Sequence, residues 1–146
     1  MMRMAALVPL FLFFFCAALP AAAAAGIVAG PVETRVLRVV DGDTFVAEAM
    51  VWPGHWIRVT VRIRGIDAPE LRGRCAAELA AAERAREALS HLLGDGPVTV
   101  SNIGGDKYYG RVLADVTAAG DVAVGPALLG LGAARAYGDR TGQKMC

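Results

Sequence analysis

Histidine, serine and cysteine are scarce in this chain of 146 residues, and each scarcity removes a class of chemistry. His55 and His91, with Cys16, Cys75 and Cys146, lie far apart and lack the short spacings of zinc ligands, which argues against a zinc centre. Ser90 and Ser101 are the only serines, and neither stands in a nucleophile-elbow sequence, so serine catalysis has little support. An EF-hand fails as well: Asp41 and Asp43 begin like one, but Trp52 occupies the place of the closing glutamate. Excess charge is also missing. Lys+Arg number 15 against 14 Asp+Glu, and Arg3 belongs to a segment that the mature protein is expected to lose. A formally neutral remainder has no broad basic surface, so a polyanion would have to be held locally, by a few arginines and a metal.

The segment expected to be lost opens the chain. Arg3 precedes an unbroken non-polar run from Met4 to Ala25, the pattern of a charged n-region, an apolar h-region and an Ala-rich cleavage region. A membrane anchor is the competing reading. Pro9 and Pro20 interrupt the run and the alanines suit a signal peptidase, so removal is favoured, and the membrane matters only if the leader stays uncleaved. Residues 1–25 are thus expected to be a signal peptide and residues 26–146 a single domain, exported to a bacterial periplasm or secreted. Cys75 and Cys146 then form an even pair in an oxidising compartment, consistent with a disulfide; two free thiols are the alternative. Closing a loop of roughly 70 residues would contribute about 4 kcal/mol in the chain-entropy model.

Within the remainder, the pattern predicts strands over Val32–Val40, Phe45–Val51 and Arg58–Arg64, with an Asp-Gly turn between the first two. Trp52 and Trp56 lie in the next loop and are expected to pack on the rim of the core. In Arg58–Arg64, Val59, Val61 and Ile63 alternate with Arg58, Thr60, Arg62 and Arg64, a half-buried strand whose period does not say which arginine matters. Pro69 ends the sheet there. Ala76–Leu93 is helical, with Leu79, Ala82, Ala85, Leu89 and Leu92 on the inner side, Glu83 and Arg86 paired outside, and Gly94 as the stop. His91 reads as a surface residue near the helix end. Strands Val98–Ile103 and Val112–Val116 follow, with a Gly104-Gly105-Asp106 turn between them, then a weak helix from Pro126 to about Ala136. Five short strands around a main helix suggest a small antiparallel barrel of the OB type, in a mainly β (α+β) fold.

Three clusters carry chemistry: Asp41-Gly42-Asp43-Thr44; Arg62 through Glu70, which holds Asp67-Ala68-Pro69; and Asp106-Lys107-Tyr108-Tyr109-Gly110-Arg111. Asp43 and Asp67 are hard anionic donors suited to calcium, and two carboxylates with a carbonyl and waters would fill its shell. Glu70 is placed to take a proton from water. Arg62 and Arg111 offer planar, permanently charged donors that match phosphate oxygens. Together they describe phosphoryl transfer to water.

In this order and at these separations the clusters resemble the staphylococcal-nuclease-like (thermonuclease) family, over about Val36 to Tyr137. The resemblance implies an OB barrel with added helices and calcium-dependent endonuclease and exonuclease cleavage of DNA and RNA, leaving 3′-phosphorylated ends. It implies Ca2+ ligation by the side chains of Asp43 and Asp67 and the carbonyl of Ala68, with Asp41 orienting waters near the ion. Glu70 would be the general base, Arg62 and Arg111 would bind the scissile phosphate, and Arg111 would also favour departure of the 5′ oxygen. Lys107, Tyr109 and Tyr137 resemble nucleotide-contacting positions. The pair Tyr108-Tyr109 holds one tyrosine more than the usual Lys-Tyr-Gly-Arg, which leaves the register of Asp106 and Lys107 open. The end of the chain resembles short exported members with a final cysteine, which by analogy supports a Cys75–Cys146 tie. DNA and RNA are the implied partners, with a monomer and no stable protein partner expected. A catalytically silent OB module binding nucleic acid or another ligand is the alternative; it would need the arginines but has no use for Glu70. A third class is a structural or interaction protein whose acidic residues merely hold a calcium.

Overall fold

A computed structural model describes residues 26–139; the leader run and Cys146 lie outside the described residues. Eight strands and two helices follow in the order β1 (Val32–Asp41), β2 (Thr44–Trp52), β3 (His55–Ile63), β4 (Ile66–Asp67), α1 (Ala76–Leu93), β5 (Val98–Gly105), β6 (Arg111–Ala118), β7 (Val122–Ala123), α2 (Val124–Gly130) and β8 (Arg135–Ala136). The main sheet runs β3-β2-β1-β5-β6-β7, and β3 also pairs with β6, which closes five strands into a barrel. Antiparallel closure was the expectation. The closing β3–β6 ladder is instead parallel, with Thr60 opposite Arg111 and Ile63 opposite Ala114. Five is odd, so strand direction cannot alternate all the way round a ring, and one pair must run parallel.

The alternation read in β3 holds where it matters: Val61 and Ile63 are buried, and they meet Phe45, Ala47, Val98, Val100, Ala114 and Val116 inside the barrel. Leu89 and Leu93 of α1 and Val124 and Leu128 of α2 complete this core. Burying those branched and aromatic side chains, at about 25 cal/mol per Å² of apolar surface, is what holds the helices on the barrel.

Several boundaries differ from the sequence reading, each for a local reason. In α1, Leu93 is buried and Leu79 is 45% exposed, because the helix turns its later residues onto the barrel while its first turn leaves it. Glu83 and Arg86 pair at 2.9 Å as expected, and Gly94 closes the helix at φ 52°. The glycines at 104 and 105 lie in β5, after an irregularity at Asn102 (φ 51°), so the connection to β6 is residues 106–110. Helix α2 begins two residues before Pro126 and ends at Gly130. Residues 135–136 pair with β4 instead of extending the helix, and Gly132 at φ 65° lets the chain turn back. Trp52 does not pack: it is 70% exposed at the tip of the β2–β3 hairpin, beyond the reach of the core. Trp56 is half-buried, with the Arg35 guanidinium 3.8 Å from its ring centre.

Candidate active site

The β1–β2 turn delivers the first carboxylate. Asp41 faces Thr44 across a tight hairpin, and the Asp41 Oδ1 accepts the Asp43 N–H at 3.2 Å. Gly42 is required here by close approach: a Cβ at that position would stand 2.5 Å from the Ala85 Cβ and 2.7 Å from the Ala68 Cβ. The turn therefore sits directly on α1 and on the segment after β4. Asp43 is only 2% exposed. Its carbonyl accepts the Ile63 N–H at 2.9 Å, which fixes the residue to the end of β3.

The Asp43 carboxylate gathers donors from three elements. Oδ1 accepts the Thr44 hydroxyl at 2.7 Å and Arg62 Nη1 at 3.0 Å, and Oδ2 accepts the Ala68 N–H at 3.1 Å. Burial pushes its carboxyl up to about 6, against the Thr44 and Ala68 hydrogen bonds and the Arg62 charge, which pull it down. Arg62 also reaches Asp67 Oδ1 through Nη2 at 3.2 Å, so one guanidinium spans both aspartates. Burial works against the Arg62 cation, and the charges of Asp43 and Asp67 more than offset it.

Among the arginines at 58, 62 and 64, along β3 and just past its end, the structure separates three fates. Arg62 enters the site. Arg58 is exposed. Arg64 braces the barrel, with Nη2 donating to the carbonyls of Asn102 at 2.6 Å and Leu113 at 3.0 Å.

Asp67 and Tyr137 arrive together through the small second sheet. Asp67 lies opposite Arg135 in the β4–β8 pair, and the Tyr137 N–H donates to the Gly65 carbonyl at 2.9 Å. Arg135, which the sequence pattern does not single out, donates to Asp67 Oδ2 through Nη2 at 2.9 Å and Nε at 3.3 Å. Its signal is tertiary: 68 residues separate it from Asp67.

The 106–110 connection and the first residue of β6 supply two further cations. Arg111 Nε donates to Asp106 Oδ2, and its guanidinium lies 4.5 Å from the Tyr108 ring centre. Lys107 Nζ is 5.0 Å from the same ring. Burial pushes the Asp106 carboxyl up, but the Lys107 N–H and the Arg111 guanidinium outweigh it and hold the group below its usual range. Tyr109, expected at the substrate, is fully exposed and does not line the cleft; Tyr108 takes that place. The extra residue is accommodated by turning Tyr109 outward, with Gly110 at φ 77°.

One cleft of about 860 Å³ is lined by Asp41, Asp43, Arg62, Asp67, Ala68, Glu70, Lys107, Arg111 and Tyr137, joined by Asp106 and Tyr108. Three clusters spread over 71 positions of sequence thus meet on one surface. A model of the staphylococcal nuclease homologue family matches residues 60–145. The chain belongs to that family. No curated protein matches it. The staphylococcal nuclease match spans Arg62, Asp67, Glu70 and Arg111, while Asp41 and Asp43 precede it and reach the same cleft through the β1–β2 turn.

Among the described residues, no three His, Cys, Asp or Glu side chains form a ready metal cage. A hard divalent cation nevertheless suits the donors present. Asp43 and Asp67 bring carboxylate oxygens to one cleft, where Arg62 and Arg135 hold them, and carboxylates are the hard donors such an ion takes. The match and the barrel together make the chain a member of a nuclease family.

Proposed function

We propose that this protein is a calcium-dependent phosphodiesterase that hydrolyses DNA and RNA to 3′-phosphorylated products. The observation that carries the reading is the meeting of Asp43, Asp67, Glu70, Arg62 and Arg111 in one cleft. Calcium, held by the Asp43 and Asp67 carboxylates and the Ala68 carbonyl, would supply a Lewis acid that polarises a phosphoryl oxygen.

The chain's own residues supply the rest. Glu70, exposed to solvent at the cleft edge, takes the proton of the attacking water. Water adds its oxygen to phosphorus, the bond to the 5′ oxygen breaks, that oxygen takes a proton from solvent and leaves as a 5′ hydroxyl, and the phosphate remains on the 3′ side. Arg62 and Arg111 counter the charge that accumulates on the phosphoryl oxygens. Asp106 engages Arg111 at Nε, so the terminal nitrogens remain to face phosphate, and the pair with Asp106 fixes their direction. Asp41 orients the turn that carries Asp43. Lys107, Tyr108 and Tyr137 line the same cleft and suit the nucleotide. Export through the leader and a Cys75–Cys146 disulfide belong to the same reading, and thiol counting on the exported protein tests the latter.

The deciding experiment incubates purified protein with denatured DNA and with RNA, in calcium and in excess chelator. Hydrolysis in calcium alone is expected, with 3′-phosphate ends on the products. Undiminished hydrolysis in chelator would exclude the metal-dependent mechanism. Binding without hydrolysis in either condition would favour a silent OB module.

A further inference from the structure

A second cavity, of about 540 Å³, adjoins the cleft at Glu70 and leads away from Arg111, which does not line it. We propose that it is a phosphate subsite holding the nucleic-acid strand beyond the scissile bond, an inference that rests on the phosphodiesterase reading above. The two cavities share Asp67, Ala68, Glu70 and Arg72, so a strand leaving the cleft passes into the second along a common border.

The lining suits phosphate. Arg72 and Arg74 are exposed on the connection between Pro69 and α1, and neither guanidinium has an ion-pair partner among the described residues. Arg135 lines the same space. Three carboxylates also border it, and two of them are already engaged. Asp67 is shared between Arg62 and Arg135. Glu78 accepts the Arg74 backbone N–H at 2.7 Å, an interaction that secures the start of α1. Glu70 is the base of the neighbouring cleft. What sets Arg72 and Arg74 apart from the other exposed arginines is their place: both line the cavity that adjoins the reacting centre.

The platform is fixed rather than loose. A Cβ on Gly73 would stand 2.6 Å from the Glu78 Cβ and 3.1 Å from the Leu79 nitrogen, so the loop between Arg72 and Arg74 lies flat on the first turn of α1. No aromatic side chain of the described residues lines this cavity, whereas Tyr108 and Tyr137 line the cleft. Bases have nothing to stack on here. The subsite therefore reads the phosphate backbone without regard to sequence, and it extends the footprint toward the roughly 4–16 nucleotides that OB folds cover.

The test compares the unaltered protein with Arg74→Ala, a change at the guanidinium that lines the second cavity and not the cleft, on decathymidylate and on a thymidine dinucleotide in calcium over a series of salt concentrations. For decathymidylate the variant's KM should rise several-fold with kcat unchanged. The slope of log(kcat/KM) against log salt should become shallower by about 0.7, for the one single-strand phosphate that is no longer neutralised. The dinucleotide, too short to reach from the cleft into the cavity, should show no change. An unchanged KM and slope for decathymidylate would overturn the subsite, and an equal loss on both substrates would do the same by showing damage to Glu70. Failure of the unaltered protein to cut either substrate would overturn the phosphodiesterase reading itself, and the subsite with it.

Discussion

Replacing Glu70 with glutamine separates chemistry from folding more cleanly than any other change in the cleft. Glu70 is exposed, and no hydrogen bond or ion pair engages its side chain among the described residues. An isosteric amide there should change folding stability by less than about 0.5 kcal/mol, a shift of roughly 2 °C in Tm at most for a domain of this size. Its chemical effect should be far larger. A positioned general base contributes about 10²–10⁴ in rate, equivalent to roughly 3–5 kcal/mol of transition-state stabilisation. The amide keeps the shape and cannot accept the proton. Steady-state hydrolysis of denatured DNA in calcium, read beside thermal melts of both proteins, should therefore show a drop of two to four orders of magnitude in kcat with overlapping melts. A variant that retains kcat within about threefold of the original removes Glu70 from the mechanism. A variant that loses both activity and Tm shows that the carboxylate supports structure, which its exposure argues against.

Arg135→Ala should lower stability by no more than about 1 kcal/mol, because the Asp67 pair is half exposed. It should also lower the calcium concentration needed for half-saturation, since a guanidinium no longer competes for Asp67; calorimetric titration that finds weaker binding would contradict this. Gly42→Ala should cost about 1–3 kcal/mol in urea unfolding, because its methyl group has no room between Ala68 and Ala85. A neutral result would mean that the turn does not sit on α1 as described. For Asp106, a folded value held below the ordinary 3.8 means that its stabilising effect is fully present above that pH and is lost as pH falls through the folded value. The stability difference between the unaltered protein and Asp106→Asn should accordingly stay constant from neutral pH to about pH 4 and shrink below it. Urea midpoints that converge between about pH 7 and pH 5 would refute the assignment.

Local chemistry wrote much of this protein into its sequence. Alternation of Val59, Val61 and Ile63 marked β3, the run after Cys75 marked α1, and the spacing of the three acidic and basic clusters pointed to phosphodiester chemistry, because each depends on residues close together in the chain. Other features were beyond any local pattern. Which two strands meet in parallel to close the ring, β3 and β6, only the assembled barrel shows. The distinct fates of Arg58, Arg62 and Arg64 depend on which strand ends meet each side chain across the barrel, and a period of two cannot report that. The exchange of Tyr109 for Tyr108 at the cleft was decided by the turn that Gly110 permits. Arg135 reached Asp67 because α2 stops early and residues 135–136 find an open strand edge at β4. Side-chain type and spacing set what chemistry was available; the backbone pairing of distant segments decided which of those side chains share one cleft.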